Sequence, residues 1–243
     1  MTALLHSQYL QVRTLRSTYG VAGALIAIVA SIGWFVTKEA GATDLSTAEQ
    51  LREPLVAGSG VMVAVVLAVL AAGRVAGEYR HGTIAHRALA APARARMVAA
   101  ALLAQGAFAA VVSAAAFGIG TAIAAVVLGP TEYTNGLAGG ELATTAGAVV
   151  LSGVAFAVMG AALGFGTRSQ LGAASTVFGA FFAEKLFGPA LGEAASYLPY
   201  SLINSVLELD GPLSVGPAAA VLAAWALVAA AVAVALARRR DLL

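Results

Sequence analysis

The chain has 243 residues, 60% of them apolar and 11% charged, with a mean hydropathy of +0.88, where soluble domains average about 45–50% apolar and about 25% charged. The surplus recurs along the whole length, which excludes a water-soluble domain bearing one signal peptide or anchor and predicts a polytopic membrane protein. There is no cysteine and the net charge is only +2; disulfides, thiolate metal sites and a Cys nucleophile are thereby excluded, no nucleic-acid partner is expected, and the placement of the charges becomes the informative quantity.

Residues 1–19 place Leu5, Tyr9, Val12, Leu15 and Tyr19 at three- and four-residue steps among His6, Gln8, Gln11, Arg13 and Arg16. That is the pattern of an amphipathic helix lying on a membrane surface. A signal peptide ending at Ala40-Gly41-Ala42 is the competing reading, opposed by the Lys38-Glu39 pair just ahead of that site and by the long lead before the apolar run. Apolar runs then fall at about 20–37, 54–73, 97–128, 142–166, 171–188 and 216–237, each close to or above the length of about 20 residues that crosses a bilayer. Six spans are expected, the fifth carrying Glu184 and Lys185 near its end and closed by Pro189. Strict polar–apolar alternation is absent, so the expected fold is an all-α bundle forming one transmembrane domain over 1–243, with no barrel.

With the N-terminus on the cytoplasmic side, that side holds Arg13, Arg16, Arg74, Arg80, Arg87, Arg94, Arg96, Arg168, Arg238, Arg239 and Arg240, leaving Lys38, Arg52 and Lys185 outside. The excess of inner basic residues predicts that both termini are cytoplasmic, and the expected location is the inner (plasma) membrane of the cell, with several passes. Within the spans, Gly160 and Gly164 form a GxxxG pair and Gly118 and Gly120 crowd the third run; small residues let helices approach closely, either within one bundle or at a dimer seam.

The chemistry of common enzymes is missing. There is no GxxxxGK[ST] loop, no HExxH, no GxSxG, and Gly164-Phe165-Gly166 does not extend to GxGxxG. Runs 97–128 and 142–166 contain no Asp, Glu, Lys, Arg or His, so a proton-coupled carrier and an intramembrane enzyme are disfavoured. Glu184 and Lys185 fit a snorkelling or interfacial role, or alternatively a relay. No cofactor or metal is expected in this chain, and any ATP would be hydrolysed elsewhere.

The segment 74–96 carries five arginines, which a positive-inside loop against anionic lipid would also carry. Its order is more particular: Gly77-Glu78-Tyr79-Arg80-x-Gly82-Thr83-Ile84, then Leu89, Pro92 and Arg94 or Arg96. This resembles the loop after the second span in permease subunits of ABC exporters, the six-helix family that exports drugs and polysaccharides; an amphipathic N-terminal helix, six spans, a broken segment before the last span and an Arg-Arg-Arg-Asp end extend the likeness over the chain. The resemblance implies a coupling helix within 76–91 seated on a separate ATP-binding subunit, an ATPase dimer that holds ATP and Mg, a second permease subunit, identical or homologous, and an amphiphilic or apolar cargo. Pro92 would end a helix over 83–91, and Glu78, the sole acid there, is the candidate for a salt bridge to the partner. A non-transporting accessory or sensor subunit is the alternative.

Residues 186–215 are apolar but broken by Pro189, Gly192 and Pro199, with Tyr197 and Tyr200 suited to headgroup level. Glu184, Lys185, Pro189, Tyr197, Pro199 and Tyr200 are therefore the candidates for an outer gate. The resemblance implies short helices capping a pathway; an ordinary outer loop is the other reading.

Overall fold

The computed structural model describes residues 20, 23–25, 27, 29–31, 57–84, 93–128, 139–209 and 211–239. All regular structure among them is helical. A π-helical turn, Ala57–Met62, leads into α1, Val63–Arg80; then come α2, Arg94–Leu128, α3, Gly139–Thr167, and α4, Gln170–Leu191. A 3-10 turn, Gly192–Tyr197, joins α4 to the short α5, Pro199–Val206, and α6, Val215–Arg239, ends the described chain.

Among the described residues, four stretches are long and apolar enough to cross a membrane: Gly60–Arg80, Arg94–Ile123, Leu142–Thr167 and Val215–Arg239. The molecule is thus a helical protein of membrane-embedded character. The expected fifth span differs: α4 is helical over the right residues, but it is not among these four, and the Glu184-Lys185 pair is what its apolar run carries against it. Pro189 does not close it either, since α4 continues to Leu191 with Pro189 inside. Of the expected first span, the described residues are helical, and Leu25 and Val29 enter the core. The amphipathic helix expected at 1–19 lies outside the described residues.

The second span ends later than the apolar pattern predicts. Hydropathy falls at Arg74, yet α1 runs on to Arg80, because backbone hydrogen bonding and the packing of Val75 and Ala76 continue the helix past the first charge. Arg74, Gly77, Glu78, Tyr79 and Arg80 are therefore helical residues and not members of a loop. A turn at His81 and Gly82 follows, Thr83 and Ile84 are helical, as the start of a helix over 83–91 would be, and 85–92, including the expected helix end at Pro92, lie outside the described residues.

The bundle is organised around α3, which contacts α1, α2, α4 and α6. Its glycines explain how. A Cβ at Gly160 would overlap the Ala68 carbonyl, and one at Gly164 would stand 2.6 Å from the Ala72 oxygen and 2.9 Å from the Val75 Cβ. The GxxxG pair thus packs on Ala68-xxx-Ala72 of α1 within the chain, where two rows of small residues bring the backbones together. One core cluster joins Leu67, Val75, Ile84, Val98, Val112, Phe165, Ala233 and Ala237, with Leu25 and Val29. A second joins Phe117, Val149, Phe156, Tyr200, Leu202, Ile203, Val206 and Leu222. The connections place the end of α1, the start of α2, the α3–α4 turn and the end of α6 at one end of the bundle, so Arg80, Arg94, Arg96, Arg168, Arg238 and Arg239 gather there.

Candidate coupling end and opposite cap

The sequence motif at 77–84 is the terminus of α1 and the turn after it. His81 N–H donates to the Gly77 carbonyl at 3.0 Å and Gly82 N–H to the Tyr79 carbonyl at 3.2 Å. Gly82 adopts φ +67, the left-handed geometry with which glycine commonly ends a helix. Thr83 Oγ1 donates back to the Glu78 carbonyl at 3.3 Å. Ile84 then returns to the core at 3% exposure, which fixes where the turn re-enters the bundle. Between these anchors Arg80, His81, Gly82 and Thr83 are exposed and Glu78 is half-buried.

The inner side of the motif is held by the α3–α4 junction. The Tyr79 ring meets Phe165 edge-on with centroids 6.4 Å apart, and the Arg168 guanidinium lies 5.4 Å over the Tyr79 ring. Arg168 itself takes φ 54, and its N–H donates to the Gly164 carbonyl at 3.1 Å, ending α3 in a conformation usually left to glycine. The next residue, Ser169, is the N-cap of α4, its Oγ accepting from Gly172 N–H at 3.2 Å. Gln170 then reaches back to α1: its Nε2 donates to the Gly73 carbonyl at 3.1 Å, and its Oε1 accepts from Arg80 Nη1 at 3.5 Å. A Cβ at Gly77 would stand 2.8 Å from that Nε2. Gly77 therefore makes room for Gln170, a pairing across 93 residues of chain that no local pattern signals.

One helical turn deeper, Arg74 places its guanidinium 4.2 Å over the Phe108 ring and its Nη1 3.4 Å from Gln105 Oε1. Its Nη2 is buried without a hydrogen-bond partner, and Gln105 is only 6% exposed. The apolar count of α2 hides this group, because Gln105 is uncharged and Arg74 reads as the first residue of a loop.

At the other end, Glu184 has a definite task. The N-cap of α5 is Leu198, whose side chain cannot cap, and Pro199 at the first helical position has no N–H to satisfy. Leu198 N–H donates to the Ala195 carbonyl at 3.1 Å. The two remaining orphan donors, Tyr200 N–H at 3.1 Å and Ser201 N–H at 2.6 Å, go to the Glu184 carboxylate, which also accepts from Ser201 Oγ at 2.8 Å. A side chain from α4 thus supplies the cap that α5 lacks, with its negative charge at the positive end of the helix dipole. Tyr200 is buried, donates its hydroxyl to the Val177 carbonyl at 3.1 Å, and packs edge-on against Phe181 and Phe156 at 4.7 and 5.1 Å. Burial, with the Glu184 charge adding, pushes its phenol up to about 12. Tyr197 is exposed, and its carbonyl accepts from Trp225 Nε1 at 2.9 Å. Lys185 and Pro189 are exposed. Of the six residues expected at this end, Glu184, Pro199 and Tyr200 converge, Tyr197 ties the turn to α6, and Lys185 and Pro189 join none of these contacts.

Among the described residues, no three His, Asp or Glu side chains converge as a metal site requires. Compared with protein-family models and with curated proteins, the chain matches none.

Proposed function

We propose that the chain is the membrane-spanning subunit of an ATP-driven ABC exporter, seated in the cell inner membrane with both termini cytoplasmic and with no catalytic residues of its own. ATP and Mg belong to a separate ATP-binding dimer, a second permease copy or homologue completes the pathway, and the cargo is amphiphilic or apolar. The observation that carries this reading is the motif end of α1. Its inner side is locked by Tyr79, Gly77 and Ile84, while Arg80, His81, Gly82 and Thr83 are held outward on a short, fixed turn. A rigid exposed corner of mixed charge suits docking on a protein groove, whereas attraction to anionic lipid needs only cations.

Charge reversal separates the two. Against lipid headgroups, Glu78→Lys adds to an existing attraction and leaves function intact. Against a basic group in an ATPase groove it turns attraction into repulsion, which costs about 2–5 kcal/mol when the pair is desolvated. The expected outcome is a variant that inserts normally yet no longer co-purifies with the ATPase, or that uncouples hydrolysis from transport. Unchanged assembly and transport would overturn the coupling role.

A further inference from the structure

We infer that Gln170 is a positioning residue that links the exposed end of α1 to α4, so that displacement of residues 78–83 by a bound partner is delivered to α4 through the α3–α4 turn. The inference deepens the exporter reading and rests on it. Four features meet at this point. Gln170 holds the Gly73 carbonyl and Arg80 Nη1, one contact on each side of Gly77. Gly77 lacks the side chain that would occupy the amide's place. Tyr79, two residues on, is held by Phe165 and Arg168 at the end of α3 and in the turn that follows. That turn has only two residues, Arg168 and Ser169, both committed, the first to ending α3 and the second to capping α4.

A two-residue turn with both backbones fixed has little freedom to absorb motion, so a shift of Tyr79 or Arg80 moves the first turn of α4. The first residue of α4 is also the one that grips α1. Beyond this grip α4 is held by its contacts with α5 at Val177, Phe181 and Glu184, and only Ala173, Val177 and Gly188 are buried along it. A helix with a thin packing line and a polar grip at its first residue is suited to pivot about that grip, with α5 following through the Glu184 cap. The grip is exposed, and exposed hydrogen bonds add little to stability. Its loss should therefore change transmission far more than folding.

The test uses the full chain in complex with the ATP-binding subunit that co-purifies with it, in nanodiscs. Because the chain has no native Cys, spin labels at Leu103→Cys on α2 and Phe178→Cys on α4, both exposed, report the α2–α4 distance before and after trapping with ATP and vanadate. A shift is expected in the otherwise unmodified chain. Gln170→Ala should retain co-purification and hydrolysis within about twofold while losing the shift. Gly77→Ala, which displaces the Gln170 amide, should lose the shift as well, and the double variant should lose no more of it than either single one. Gln170→Glu, which keeps an acceptor for Arg80 but cannot donate to Gly73, should also lose the shift. A full shift in Gln170→Ala, with the unmodified chain responding, overturns the inference alone. No co-purifying ATPase, or no shift in the unmodified chain, overturns the exporter reading and the inference with it.

Discussion

Replacing Glu184 by Ala is the most informative perturbation of the described fold, because every donor at the start of α5 is accounted for. Leu198 N–H has Ala195, Pro199 has no N–H, and Tyr200 and Ser201 depend on Glu184 alone. Removal orphans two half-buried donors and the Ser201 hydroxyl bond. Loss of a helix N-cap costs about 0.5–2 kcal/mol, and the number of donors here places Glu184→Ala near the top, at about 2 kcal/mol. That corresponds to a drop of roughly 4–8 °C in the unfolding midpoint for a chain of this size, and to about 30-fold faster local hydrogen exchange, since about 1.36 kcal/mol is a factor of ten. The assay is amide exchange over 200–206 in nanodiscs, with thermal unfolding alongside. Glu184→Gln retains an acceptor but turns an amide N–H toward one of the donors, and should fall between Ala and the native residue. Lys185→Ala, on the exposed side, should leave exchange unchanged. Native-like protection of 200–206 in Glu184→Ala would refute the capping role.

Gly160→Val drives a branched side chain into the Ala68 backbone and should destabilise by several kcal/mol or abolish folding. Gly118→Val, where a Cβ meets nothing within 4 Å, should be tolerated, as thermal unfolding in detergent will check. Tyr200, with its phenol raised to about 12, favours the folded state while protonated; its contribution is complete below about pH 10, the value of the free phenol, and is lost as pH rises to about 12. The difference between native and Tyr200→Phe phenolate absorbance should therefore develop only near the top of that window. Arg74→Met leaves the buried Gln105 carboxamide without its partner and should cost about 1–3 kcal/mol, whereas Arg74→Met with Gln105→Leu should recover most of that loss, because a buried polar pair replaced by apolar groups of similar volume is close to neutral. A double variant as unstable as the single one would contradict this.

Helices and their apolar runs are legible in the sequence because a 20-residue apolar stretch has few alternatives once water is excluded. What hydropathy cannot read is where a helix stops when its end is polar. α1 passes Arg74 without interruption because its backbone bonds and the Val75 and Ala76 contacts are indifferent to the charge beside them. For the same reason, Glu184 reads as an interfacial residue or a relay. Its role as a cap requires knowing that α5 begins beside α4, and that Leu198 and Pro199 leave two donors open. The GxxxG pair was legible as a close-packing site but not in its partner, since Ala68 and Ala72 are ordinary residues in an alanine-rich run.

The motif at 77–84 carries the same lesson with a consequence for function. Read as a loop, all of its residues are equal candidates to meet a partner. In the fold, Gly77 faces Gln170, Tyr79 lies against Phe165 and Arg168, and Ile84 is in the core. These positions would be constrained by the bundle alone, with or without a partner. The exposed side chains of the corner are His81, Thr83, whose hydroxyl bonds the Glu78 carbonyl, and Arg80, divided between Gln170 and the surface. On the exporter reading proposed above, contact with a partner would fall to these few side chains and to Glu78. Substitution at Gly77 or Tyr79 would perturb the corner itself, so a test of the proposed partner contact is cleanest at the exposed His81.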